Sequence, residues 1–187
     1  MHIVESRREP VLSDGVLGML LFVLMEIMLF AGMISAFTII KSGAPVWPPP
    51  GQPRLPVWDT ALNTAALLAS GLLLYRAGRV FRVDRQRVRA PLLWALLLGS
   101  FFVVAQGVEW VALIGQGLTL TSSSLGSFFY LIVGMHAIHA VAALALLFQT
   151  WRRLQRGWLA RSQLATAEVF WYFVVGIWPI LYLVVYW

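Results

Sequence analysis

An all-α bundle of five membrane-spanning helices is predicted by three features of this sequence. The 187-residue chain is 60% hydrophobic and only 12% charged, with a mean hydropathy of +0.79; a water-soluble domain of this size carries more charge. Its apolar residues gather into five runs, each of about 18 residues or more, enough at about 1.5 Å per residue to cross a hydrocarbon layer. The charges sit almost entirely in the short connections. No internal repeat and no composition break divides the chain, so residues 1–187 are read as one transmembrane domain.

The first span runs from about Gly15 to Ile40, and Glu26 is its only ionisable side chain between Gly15 and Ile39. It ends at a loop from Pro45 to Pro56 with Trp47 and three consecutive prolines, which cannot continue a helix. The second covers about Trp58 to Tyr75. The third, about Pro91 to Gly115, opens at a proline suited to a first helical turn and closes among glycines. An uncharged Ser/Thr-rich loop, Gln116 to Ser124, leads to the fourth, about Leu125 to Trp151. The fifth runs from about Leu164 to Trp187, with Pro179 expected to kink it. Ahead of the first span lies a polar cap with Glu5, Arg7, Arg8 and Glu9. The span behind it is too long for a signal-peptide core, so no cleavable signal is expected.

The basic residues set the orientation. Arg76, Arg79, Arg82, Arg85, Arg87 and Arg89 separate spans two and three, and Arg152, Arg153, Arg156 and Arg161 separate spans four and five. With Arg7 and Arg8, twelve of the fourteen basic residues share one side, against Lys41 and Arg54 on the other. The positive-inside rule then places the N-terminus in the cytoplasm and the C-terminus outside. Trp47, Trp58, Trp94, Trp151, Trp158 and Trp187 fall near span ends, at headgroup level. The net charge of +6 would suggest nucleic acid in a soluble protein. Here the arginines read as topological signal and lipid contact, with no nucleic-acid partner. The absence of cysteine removes disulfides, thiolate metal sites and thiol nucleophiles together.

Function is sought among the few ionisable residues inside the spans. Glu26 lies roughly 17 Å along its helix, near the bilayer midplane, where a carboxylate costs roughly 2.5 to 3.5 kcal/mol on insertion scales. It needs a proton, water or a partner. His136 and His139 are three apart on one face of span four, and His136 lies at nearly the depth of Glu26, so a Glu26 to His136 contact is geometrically possible. Glu109 sits near the outer end of span three. Glu168 sits near the inner start of span five, where reaching water is cheap.

These residues do not make a redox centre. Two histidines on one helix face cannot converge on a haem from opposite sides, a di-iron site needs Glu-x-x-His on two helices, and zinc needs a further donor. No phosphate-binding loop, dinucleotide fingerprint or Ser-His-Asp candidate is present. The histidines are expected to hydrogen-bond across a helix interface. Small-residue tracts, Gly32-x-x-x-Ala36 and Ala69-Ser70-Gly71, are expected to serve packing within the chain.

Motifs in a fixed order then resemble a known family, subunit III of haem-copper oxidases, most closely the cytochrome c oxidase type. They are Glu26-Ile27-Met28-Leu29-Phe30-Ala31-Gly32, Trp47-Pro48-Pro49-Pro50-Gly51, Leu62-Asn63-Thr64 through Leu67-Leu68-Ala69-Ser70-Gly71, and Gln106 with Glu109 and Trp110. Next come Gly126-Ser127-Phe128-Phe129, Gly134-x-His136-x-x-His139, and Trp171 and Trp178 with the ending Tyr186-Trp187. The family's common long form has seven spans, of which the first two have no counterpart here. A lipid-filled cleft between its two-helix and five-helix bundles is therefore expected to be absent, or built with another subunit's helices. Where the family often has Trp-His-Phe-Val-Asp, this chain has Trp171-Tyr172-Phe173-Val174-Val175.

The resemblance implies a non-catalytic subunit of a terminal respiratory oxidase, with no cofactor of its own. Haem and copper are expected in partner subunits I and II, and bound phospholipid in this one. It implies packing on subunit I, support of proton uptake at the inner surface, and a longer working life for the complex, in a bacterial inner membrane. Glu26, Glu109, His136 and His139 are the relay or interface candidates. Alternatives are subunit III of a quinol oxidase, an accessory protein of nitric oxide reductase, and a small proton-coupled transporter using Glu26. No repeat or broken helix supports the transporter.

Overall fold

The computed structural model describes residues 13–187, so Glu5, Arg7, Arg8 and Glu9 of the polar cap lie outside the described residues. Five helices follow in order: α1 Asp14–Gly43, α2 Val57–Val80, α3 Arg89–Gly115, α4 Ser124–Gln155 and α5 Arg161–Tyr186. All five are long and apolar enough to cross a membrane, and there are no strands among the described residues. Several helices outrun the spans read from hydropathy. α2 continues past Tyr75 to take in Arg76 and Arg79, α4 past Trp151 to Arg152 and Arg153, and α5 starts at Arg161. Hydropathy marks where hydrocarbon ends, whereas a helix with arginines in its terminal turn continues into the headgroups on their long aliphatic stems.

Local chemistry fixes the ends. α3 and α4 both stop in Schellman turns: Gly117 and Gly157 take φ of 92° and 76°. Behind them Leu118 N–H donates to the Leu113 carbonyl and Trp158 N–H to that of Arg153. Ser123 caps α4, its Oγ accepting from Gly126 N–H at 3.1 Å. Gly126 has no side chain because a Cβ there would strike the Thr119 carbonyl, so the Ser/Thr-rich loop folds down onto the start of α4. α5 remains helical through Pro179, whose ring cannot donate to the Val175 carbonyl one turn back.

Four helices form a closed ring and the fifth lies outside it. α2 packs on α3, α3 on α4, α4 on α5, and α5 back on α2. α1 touches only α5 and α4, and only Val16, Phe30 and Phe37 of its side chains are buried. Polar anchors close the ring. Fully buried Ser70 on α2 donates to the Ala95 carbonyl of α3 at 2.7 Å and accepts from Trp171 Nε1 of α5 at 3.1 Å. Trp178 Nε1 donates to Thr64 Oγ1 at 2.8 Å. Both indoles are fully buried. A Cβ at Gly99 would lie 2.6 Å from the Trp171 ring, so the missing side chain on α3 admits that indole.

The two small-residue tracts part ways. Ala69-Ser70-Gly71 packs inside the chain, with Gly71 against Val175. Gly32 and Ala36 do not: both are exposed, and a Cβ at Gly32 would meet nothing within 4 Å. The expectation of internal packing fails there because Phe30 and Phe37 turn the opposite side of α1 to the bundle.

Contacts also sort the helix ends. Lys41 Nζ reaches the Val184 carbonyl and Tyr182 Oη the Val57 carbonyl, so the end of α1, the end of α5 and the start of α2 share one side. Glu168 lies against Gly78, placing the start of α5 with the end of α2 on the other. The ten described arginines of the two connecting loops and their helix ends therefore occupy one end of the bundle, and Lys41 and Arg54 the other.

Two outcomes follow. A reporter enzyme active only in the cytoplasm, fused after Trp187, is expected to be silent, and activity there would sink the orientation drawn from the arginines. Ser70→Ala strands the Trp171 N–H and should lower unfolding stability by about 1–3 kcal/mol. Ser35→Ala, whose exposed hydroxyl only turns back on the Ala31 carbonyl, should stay within about 0.5 kcal/mol; equal effects in a thermal melt would contradict the anchor.

Candidate functional site

The carboxylate of Glu26 is met by α4, but by His139 rather than His136. Glu26 Oε2 lies 3.1 Å from His139 Nε2, with the side chains 16% and 9% exposed. The distance is that of an ion pair, though the two are not aligned as a full hydrogen bond, and among the described residues Oε2 has no other partner. On the far side of the imidazole, Nδ1 is 2.8 Å from the Met135 carbonyl. A carbonyl only accepts, so Nδ1 carries a proton.

Four phenylalanines enclose this imidazole. Phe22 and Phe30 of α1 stand with ring centroids 6.1 and 5.7 Å from it, and Phe170 and Phe173 of α5 at 6.2 and 6.0 Å. None offers a competing hydrogen bond. His136, 1% exposed, takes no part: neither nitrogen has a partner, and the ring lies on Trp178 at 4.9 Å between centroids. The contact drawn from matching depths fails because residues three apart differ by about 4.5 Å along the axis and about 60° around it. Counting depth does not resolve one turn.

A second polar centre joins α2 to α3. Glu109 Oε1 accepts from Asn63 Nδ2 at 2.7 Å, and Oε2 accepts from Gln106 Nε2 at 2.7 Å with Thr60 Oγ1 at 2.9 Å. The sequence offers Asn63 only as part of the Leu62-Asn63-Thr64 motif, and Thr60 not at all. Their signal was available: Thr60 and Asn63 are three apart, as are Gln106 and Glu109, near the adjoining ends of consecutive helices. Glu168 departs from expectation too. Instead of reaching water it is buried, seated against Gly78, with Oε1 3.1 Å from Arg161 Nη1.

Among the described residues no three of His, Cys, Asp and Glu gather into a metal set, and both nitrogens of His139 already face oxygen atoms of the chain.

Comparison with known proteins bears on what such an arrangement serves. A family model described as cytochrome c oxidase subunit III matches residues 4–187. The chain belongs to that family. It is 32% identical to the probable cytochrome c oxidase subunit 3 of Mycobacterium leprae, over 90% of this chain and 85% of that protein. It is 29% identical to the cytochrome c oxidase subunit 3 of Synechocystis sp., over 90% and 73%, and 30% identical to that of Mammuthus primigenius, over 98% and 73%. The chain is thus a multi-pass membrane protein of an oxidase complex, a subunit III in which Glu26 and Glu109 are each met by side chains of another helix.

Removing those partners has a measurable outcome. Glu26→Gln keeps a polar group facing His139 Nε2 and should leave stability within about 0.5 kcal/mol, while Glu26→Leu should lower it by about 0.6 to 1.7 kcal/mol, the range for membrane hydrogen bonds. His136→Phe, which preserves stacking on Trp178, should change little. If Glu26→Leu melts like wild type while His136→Phe does not, the pair has been misassigned.

Proposed function

We propose that this chain is the non-catalytic subunit III of a bacterial terminal oxidase of the cytochrome c type, packing on subunit I in the cell membrane. In this reading it binds phospholipid, supports proton uptake at the inner surface and prolongs the working life of the oxygen-reducing complex. The family match along residues 4–187 carries the reading, and relatives bearing the name cytochrome c oxidase subunit 3 support it. Haem and copper belong to subunits I and II.

A partner surface is available on α1. Its outer side exposes Leu21, Leu24, Met25 and Met28, while Gly32 and Ala36 leave its backbone open to close approach by another helix. On the inner side of the same helix, Glu26 Oε2 faces His139 Nε2 at 3.1 Å, the contact on which a relay role would rest.

Gentle purification of a tagged chain should bring down a larger haem-bearing subunit, while the chain purified alone should be colourless. Stoichiometric haem in the single chain, or no haem-bearing partner, would contradict the proposal. Within the assembled oxidase, a relay role for Glu26 expects Glu26→Gln to assemble normally yet turn over more slowly or inactivate earlier. Glu26→Leu should also weaken association with subunit I. Equal assembly, turnover and lifetime in all three forms would remove Glu26 from the function.

A further inference from the structure

At the arginine-bearing end of the bundle, an open pocket of about 420 Å³ lies between α2 and α5. Arg79, Arg82 and Arg161 line it with Glu168 and the phenols of Tyr75 and Tyr172. The charges do not cancel. Glu168 is held by Arg161 at 3.1 Å and seated against Gly78, where any side chain on α2 would displace it. Among the described residues Arg79 and Arg82 have no carboxylate within ion-pair distance. Arg79 instead lies beside Tyr75, its guanidinium carbon 5.8 Å from the ring centroid. Arg79 Nη1 also donates to Tyr75 Oη at 3.5 Å, a neutral partner that leaves the charge of both guanidinium groups for an external anion. A guanidinium's fork of N–H donors matches a phosphate.

Toward the bilayer centre both helices leave the pocket with apolar, outward faces. On α2 these are Leu72, 68% exposed, and Leu68, one and two turns before Tyr75; on α5 Gly176 and Ile180 follow Tyr172. An anion joined to hydrocarbon satisfies both halves of the surface, whereas a free phosphate satisfies only the first. Basic pockets between helices at the membrane surface take lipid headgroups on these grounds.

We propose that the pocket binds the phosphate of an anionic phospholipid, whose acyl chains lie along the exposed faces of α2 and α5. This deepens the lipid-binding part of the function above and depends on that reading only in taking the chain to reside in a bilayer.

The test is native mass spectrometry of the full chain in detergent, titrated with phosphatidylglycerol or phosphatidylcholine. Phosphatidylglycerol should bind more tightly, and Arg79→Gln and Arg82→Gln should each weaken it by about fivefold. Arg156→Gln, which removes the same charge from the same end outside the pocket, should change it by less than about twofold. Circular dichroism of each variant checks that the helices remain. Equal binding of the two lipids, or equal loss in Arg156→Gln, would overturn the proposal. So would displacement of phosphatidylglycerol by millimolar inorganic phosphate, which would make the site one for a soluble anion. If the two pocket variants kept their lipid but lost the haem-bearing partner, the pocket would be a protein contact. Failure of co-purification in the wild type, with lipid selectivity intact, would instead count against oxidase assembly alone.

Discussion

Inside a bilayer a polar group has only the protein to turn to, and the bundle is organised around that constraint. The indole N–H groups of Trp171 and Trp178 are fully buried and end on two small hydroxyl residues of α2, Ser70 and Thr64. Because Ser70 also donates to the Ala95 carbonyl, one hydroxyl ties three helices together. Apolar contact between helices gains little over contact with lipid tails, so such bonds and the small residues beside them fix which faces meet. Gly71 and Gly99 belong to the same arrangement, admitting Val175 and the Trp171 ring where a methyl group would collide.

Glu109 extends that order to the opposite end of the ring. A carboxylate with side-chain groups from Thr60, Asn63 and Gln106 around it is fixed in direction and pulls the start of α2 onto the end of α3. Glu26 is a different kind of group. It stands on a helix that is otherwise nearly bare, has a single partner, and faces a ring enclosed by hydrocarbon. The first carboxylate has its donors built around it. The second faces a single imidazole.

How much of this could be read from the residues depended on what kind of order was at stake. The five helices were legible because hydropathy over some twenty residues is a strong signal, and the common end of the arginines was legible because the chain must alternate direction. Which histidine met Glu26 was not, since that choice turns on the rotation of α4 about its axis. The outward Gly32 and the inward Gly71 look alike in sequence, and only the neighbouring phenylalanines of α1 decide between them. That Asn63 and Thr60 surround Glu109 was not legible because neither is charged, although their spacing matches that of Gln106 and Glu109. The burial of Glu168 was hidden for another reason: its seat is made by the absence of a side chain at Gly78, ninety residues earlier in the chain.

The placement of α1 has a consequence for how the protein is made. α1 is synthesised first among the five helices, yet the only helices it touches are α4 and α5, the last two. At synthesis rates of about 5–20 residues per second, His139 follows Glu26 after an interval on the order of ten seconds. During that time the carboxylate lacks the partner it has in the folded bundle. Insertion of the nascent chain is therefore the moment at which Glu26 is most costly, and the first helix of the bundle is the last to be put in place.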